Sequence, residues 1–178
     1  MADPIERATT EEQKAALSKV RELMGSITQS RKLQEIIPGF KTQKGIYKPG
    51  DSNYALWIRQ TVKGKYPDRE PDIYPDGSWS YEYMPEAKNG KTDLSLSTNR
   101  SLLNCMNDRV PIGVFIQREI PDIQRAYQVA LAYQLFFTPF AYNERINLTV
   151  KCLLPEVRKT ICYVFPSAAS FLYRILRR

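Results

Sequence analysis

Ser78-Trp79-Ser80-Tyr81-Glu82-Tyr83-Met84 alternates strictly, with Trp79, Tyr81 and Tyr83 at one parity and Ser78, Ser80, Glu82 and Met84 at the other. That period of two is what a half-buried strand requires, and aromatic side chains suit a pleated surface. Asp76-Gly77, directly before it, has the chemistry of a tight turn. Pro67, Pro71 and Pro75 make the approach to that turn stiff and irregular. A row of rings on one strand face is a core wall more often than a ligand platform, and both readings stand at this point.

Working outward, residues 54–62 (YALWIRQTV) set Tyr54, Leu56, Ile58 and Gln60 against Ala55, Trp57, Arg59 and Thr61. The pattern predicts a strand with one face packed and the other presenting Trp57 and Arg59. Residues 110–117 (VPIGVFIQ) predict a further strand, and its Pro111 and Gly113 call for an edge, a bulge or a close backbone approach. Residues 127–137 form an apolar run that length alone leaves as strand or helix, and residues 147–153 are strand-like.

Helical signals lie at the two ends and once in between. Thr9 with Glu12 has the form of a capping box, and Ala15, Leu17, Val20, Leu23 and Met24 follow at helical spacing, predicting a helix over 10–27 with Gly25 near its end. Residues 36–40 and 48–51 are turns bracketing short extended segments, and residues 86–93 a polar loop. A short helix is expected over 98–107, capped by Ser97 or Thr98, with Leu102, Leu103 and Met106 inward. An amphipathic helix is expected over 167–178 with Ser167 as its cap. The expected class is α+β, in three parts: 1–40, a helix and connector; 41–150, a β-rich core; 151–178, a basic tail or helix.

The chain has 178 residues, 43% hydrophobic and 25% charged, enough for one ordinary core. Its net charge of +7 favours anionic partners. Between Tyr47 and Tyr83 the rings of Tyr47, Tyr54, Trp57, Tyr66, Tyr74, Trp79, Tyr81 and Tyr83 are interleaved with Lys48, Arg59, Lys63, Lys65 and Arg69. Rings stack on bases while cations neutralise phosphates, so nucleic acid is the first partner to consider.

The chain contains no histidine. HNH nucleases, Ser-His-Asp triads, Cys-His pairs and His-ligated metals are therefore excluded. Cys105, Cys152 and Cys162 lack C-x-x-C spacing, which argues against a zinc knuckle or disulfide framework and for thiols in a reducing cytoplasm. No apolar stretch reaches membrane-spanning length, so a soluble cytoplasmic protein is expected, with no membrane partner and no cofactor.

The order of short motifs is also similar to a known family. Residues 45–49 (GIYKP), Tyr54-Ala55-Leu56, Ile58-Arg59-Gln60-Thr61, Asp76-Gly77-Ser78-Trp79-Ser80-Tyr81 with Tyr83, Thr98-Asn99-Arg100 and Val110-Pro111-Ile112-Gly113-Val114 resemble an SRA-like domain. That domain is the modified-base reader of McrA-like, modification-dependent restriction endonucleases. The match runs over 45–117, and the C-terminal third departs from it.

The resemblance implies a curved, barrel-like, mainly antiparallel sheet of SRA/PUA type with flanking N- and C-terminal helices. It implies binding of double-stranded DNA and eversion of a modified cytosine, 5-methylcytosine or 5-hydroxymethylcytosine, into an aromatic pocket. Under it, Tyr74 with Trp79 or Tyr81 would sandwich the base, with Trp57 nearby. Asp76 would accept from the cytosine amino group, although Asp-Gly is equally an ordinary hairpin turn. Arg59, Lys63, Lys65, Asn99 and Arg100 would contact the DNA backbone. Such readers are commonly joined to an HNH nuclease, which this histidine-free chain cannot encode. A non-catalytic reader is therefore expected, with cleavage left to a separate nuclease subunit if there is one, and with a homodimer as a further possibility.

Two rival readings stand beside it. Pro75-Asp76 with Glu86-Ala87-Lys88 spells the pattern of a PD-(D/E)xK nuclease holding Mg²⁺, although Pro85 and Gly90 place the second half in a loop rather than a strand. The other is a protein-interaction domain whose rings are core and whose terminal helices form the interface.

Overall fold

The computed structural model describes residues 3–8, 10–41, 45–62, 70–75, 79–89, 91–121, 123–139 and 146–152. A single 3-10 turn, Pro4–Arg7, leads into helix α1, Glu11–Glu22. The cap of α1 is Thr10, whose hydroxyl accepts from Gln13 N at 3.2 Å, one residue later than the spacing predicts; Thr9 lies outside the described residues. The helix also stops short of the expected Ile27. Gly25 takes φ 87° and donates its N–H to Val129 O, so the chain leaves the helix to join a sheet.

That sheet begins with β1, Ile27–Gln29, and continues after helix α2, Ser30–Ile36, with β2, Ile46–Tyr47, and β3, Trp57–Gln60. Helix α2 lies ahead of the turn at residues 36–40, in a stretch to which the sequence pattern assigns no element. Two long strands complete the sheet, β8, Ile112–Ile120, and β9, Ile123–Ala132. The strand order is β1-β9-β8-β3-β2, antiparallel except for the parallel pair β3–β8. The residues 127–137 resolve as strands because Tyr133 breaks the run between β9 and β10, Gln134–Pro139.

Strand β10 opens a second sheet of order β10-β11-β5-β4, with β4 at Asp72–Ile73, β5 at Trp79–Tyr83 and β11 at Ile146–Cys152. A small hairpin, β6 at Ala87–Lys88 and β7 at Lys91–Thr92, occupies the expected polar loop and leads to helix α3, Ser97–Asp108. Its N-cap is Leu96, with no side-chain capping bond, rather than Ser97 or Thr98. The fold is therefore mixed α+β. Among the described residues no strand pairing closes the two sheets into a barrel. The expected helix over 167–178 lies outside the described residues.

Register fixes the two faces of the larger sheet. Trp57, Gly113 and Leu131 share one cross-strand row, and Arg59, Phe115 and Val129 the next. This face packs against α1 and α2, and Phe40 caps it, with ring centroids 4.7 Å from Phe115 and 5.4 Å from Trp57. The position of Gly113 is explained here. A Cβ on it would lie 3.1 Å from both Trp57 Cβ and Phe115 Cε2, so the close approach anticipated from Gly113 is real. β8 is nonetheless a central strand rather than an edge, with an irregularity between Arg118 and Ile120.

The sequence pattern expects Trp57 and Arg59 on an open face, and the fold corrects this. Trp57 is 0% and Ile58 1% exposed, because the rings of Phe40, Tyr47 and Phe115 enclose Trp57 and the opposite side of β3 is also buried. The N-terminal residues Ile5, Ala8, Ala16, Leu17 and Val20 belong to the same core as Trp57 and Phe115.

Candidate nucleic-acid interface

The opposite face of the larger sheet is unusual for an interior. Its rows carry Ile58, Val114 and Ala130, then Gln60, Ile116 and Gln128, then Arg118 and Ala126. Successive strand residues alternate sides, so these side chains point away from α1 and α2. Ile58, Val114 and Ile116 give this face an apolar centre, and Gln60, Gln128 and Arg118 are its polar members. Strand β5 of the second sheet reaches this face, because the Tyr81 hydroxyl donates to Gln60 Oε1. Tyr81 and Trp79 are each 3% exposed.

Arg118 organises the polar row. Its Nε donates to Gln128 Oε1 at 2.8 Å, and its Nη1 pairs with Glu70 Oε1 at 2.6 Å and Oε2 at 2.8 Å. Beyond Arg118, the end of the β8–β9 hairpin forms an open cleft of about 480 Å³ bordered by Ile120, Ile123 and Arg125. Arg125 has φ 52°, the left-handed region that few non-glycine residues adopt.

The residues singled out from sequence are dispersed over this frame. Tyr74 is 39% exposed and its hydroxyl lies 2.8 Å from Ser80 Oγ. Ser80 alternates with Trp79 and Tyr81, so the Tyr74 ring lies on the other side of β5 and does not sandwich a base with them in this conformation. Trp57 stacks on Tyr47 at 4.5 Å with an interplanar angle of 16°, enclosed by Phe40 and Phe115, and takes no part in a pocket. Asp76, Lys63 and Lys65 lie outside the described residues.

Arg59 lies on the helix-packed face, donating from Nη1 to the Tyr127 hydroxyl at 2.8 Å, with its guanidinium carbon 5.8 Å from that ring's centre. Lys48 is a loop strut, with Nζ donating to Ser52 O at 2.6 Å and Pro49 O at 2.9 Å. Arg100 is exposed on α3.

Asn99 is 0% exposed, which removes its side chain from direct contact with a DNA backbone. Its Nδ2 donates to Glu86 O at 2.8 Å and Asp93 O at 2.7 Å, while its Oδ1 accepts from Glu86 N at 2.9 Å. One buried carboxamide thus ties both ends of the β6–β7 hairpin to α3. Thr98 Oγ1 donates to Glu86 Oε2 at 2.9 Å, so the carboxylate that a PD-(D/E)xK centre would need is engaged with α3. Hydrogen bonds from the Ser95 hydroxyl and amide hold the Asp93 carboxyl below its ordinary range. Among the described residues no group of three potential metal-ligating side chains comes together.

Gln128 and Arg118 were not singled out from sequence. The available signal was a glutamine at an inward position of an otherwise Ala- and Val-rich strand, where an apolar residue is the norm.

Comparison with known proteins is sparse. No protein-family model matches the chain, and no curated protein does. A solved structure titled modification dependent TagI restriction endonuclease aligns at 18% identity and a TM-score of 0.43, over 74% of this chain and 49% of that one. The chain thus spans about half the length of that structure.

Proposed function

We propose that this protein binds double-stranded DNA and reads a modified cytosine, 5-methylcytosine or 5-hydroxymethylcytosine, by taking the base out of the stack. The observation that carries this reading is the polar and aromatic lining between the sheets, where Tyr81 from β5 meets Gln60 from β3 in a chain of net charge +7. A base needs rings against its faces and hydrogen bonds at its edge, and this lining offers both kinds of group. Base stacking on an aromatic ring contributes about 1–3 kcal/mol, enough to offset much of the few kcal/mol of unstacking.

In this account Tyr81 and Trp79 supply ring surface, Asp76 accepts from the cytosine amino group, and Tyr74 guards the outer side of β5. Lys63, Lys65 and Arg100 neutralise backbone phosphates. Arg59 acts through Tyr127, and Trp57 and Asn99 act by holding the frame. The curved, barrel-like enclosure of SRA type belongs to the same proposal, with the chain as a binding unit and strand cleavage supplied by another polypeptide.

The test is a pair of variants. Asp76→Ala abolishes binding to modified DNA while circular dichroism shows an intact fold; retained selectivity removes Asp76 from the pocket. Lys63→Ala with Lys65→Ala reduces the slope of log Kd against log salt by about two units. An unchanged slope moves the backbone contacts elsewhere.

A further inference from the structure

Gln128 is 1% exposed, and among the described residues its Nε2 has no hydrogen-bond partner. The orientation of the amide is set by its neighbour, because Arg118 Nε donates to Gln128 Oε1 at 2.8 Å. Turning the amide over would set an amino group against a guanidinium N–H, two donors face to face. The unmet atom is therefore a donor. Buried donors without acceptors are rare in native folds because each carries the full desolvation penalty.

The position of this donor points to a ligand. Gln60, Ile116 and Gln128 form one cross-strand row on the face that Tyr81 reaches. With strands about 4.8 Å apart, the two glutamines stand roughly 10 Å apart across the row. Gln128 also pairs in register with Ile27 on the edge strand β1, and Ile27 is 40% exposed. Arg118, which holds the amide, borders the open cleft at the hairpin end. The unmet donor is thus buried, with a partly exposed residue beside it in register and the arginine that holds it at the edge of an open cleft.

We infer that Gln128 Nε2 donates to the O2 carbonyl on the pairing edge of the everted pyrimidine, which makes Gln128 a base-binding residue of the pocket. That edge is the same with and without the C5 modification, so the contact adds affinity for an everted base and does not itself read the modification. This inference rests on the base-reading function proposed above. Cytosine presents an amino donor and two acceptors on that edge, so a carboxylate alone answers only part of it. Gln128 answers the O2 carbonyl. Arg118 positions the carboxamide and is itself held by Glu70.

The test uses Gln128→Met, of similar length and without a donor, and Gln128→Glu, which keeps an acceptor for Arg118 and replaces Nε2 by a second acceptor. Melting temperature is measured, with Kd for a 5-methylcytosine duplex and its matched cytosine duplex at one salt concentration. Gln128→Met removes the unmet donor but also the acceptor of Arg118 Nε, so it is expected to melt near or slightly below wild type, and Gln128→Glu, which buries a carboxylate, to melt lower. Gln128→Met weakens binding to the modified duplex, whose base is everted, by about 10- to 100-fold and leaves the unmodified duplex, held through its phosphates without eversion, unchanged. Gln128→Glu weakens both duplexes through its charge and also loses the preference.

Wild-type protein that prefers neither duplex overturns the base-reading function itself. Wild-type preference that survives in a folded Gln128→Met overturns the assignment of Gln128 alone. If Gln128→Met does not fold, Gln128→Glu decides in the same way, and failure of both to fold makes Gln128 a structural residue and overturns the inference.

Discussion

The Tyr81 hydroxyl on β5 donates to Gln60 Oε1 on β3, a hydrogen bond from one sheet to the other. A contact of this kind orders an interior only if both partners are satisfied, and it places a hydrogen-bonding tyrosine where an apolar residue would be simpler. Tyr81→Phe keeps the ring and deletes the bond. It is expected to lower stability by about 1 kcal/mol in urea denaturation and to reduce the preference for modified DNA. Unaltered preference would make the hydroxyl purely structural.

Trp57 separates a core role from a ligand role. At 0% exposure and stacked on Tyr47, it should behave as a packing residue. Trp57→Ala is expected to cost about 3–5 kcal/mol, while Trp57→Phe keeps the fold and the full duplex preference. Loss of preference in a stably folded Trp57→Phe would return this ring to the pocket.

Gly113 sits where β8 passes under Trp57 and Phe115, with Val20 Cγ2 3.4 Å from the position of a Cβ. Two contacts at 3.1 Å involve core groups that have little room to move. Gly113→Val should destabilise the fold by about 1–3 kcal/mol or more, read as a shift in the denaturation midpoint without a change in slope. A neutral Gly113→Val would mean that helix α1 yields.

Asn99 holds both ends of the β6–β7 hairpin through three hydrogen bonds. Asn99→Ala leaves the Glu86 N–H and two carbonyls unmet and should cost about 2–4 kcal/mol, with amide exchange rising first at Glu86. Asn99→Asp fares no better, because a carboxylate cannot donate to the Glu86 and Asp93 carbonyls.

Burial pushes the Cys105 thiol up to about 12, and the thiol donates to Ala55 O at 3.4 Å. The thiol should resist alkylation at about pH 8.5 in the folded protein and react on denaturation, as followed by peptide mass mapping. The unfolded chain releases this proton more readily, so this thiol's contribution is complete below the ordinary thiol value of 9.0 and stability declines as pH rises towards 12. Rapid native labelling of Cys105 would contradict its burial.

The sequence made the strands around Trp79, Ile58 and Val114 legible because their alternation is local. It did not reveal which sides were covered. Trp57 reads as presented from the pattern of residues 54–62, yet Phe40, Tyr47 and Phe115 converge on it from elsewhere in the chain. Tyr74 and Tyr81 are close in sequence, but the Ser80 contact puts them on opposite sides of β5. Asn99 looks like a backbone-contacting residue by type, and only the fold shows its amide closed around Glu86 and Asp93. Gln128 escaped notice because a lone glutamine in a strand has no meaning until its register partners, Ile27 and Ile116, are known.

The central claim is most directly tested by a fluorescence-anisotropy titration of the wild-type chain against matched duplexes bearing cytosine, 5-methylcytosine or 5-hydroxymethylcytosine at one salt concentration. The account predicts tighter binding to one modified duplex, with that difference lost in Asp76→Ala. Equal binding to all three duplexes, or none to any, would contradict it.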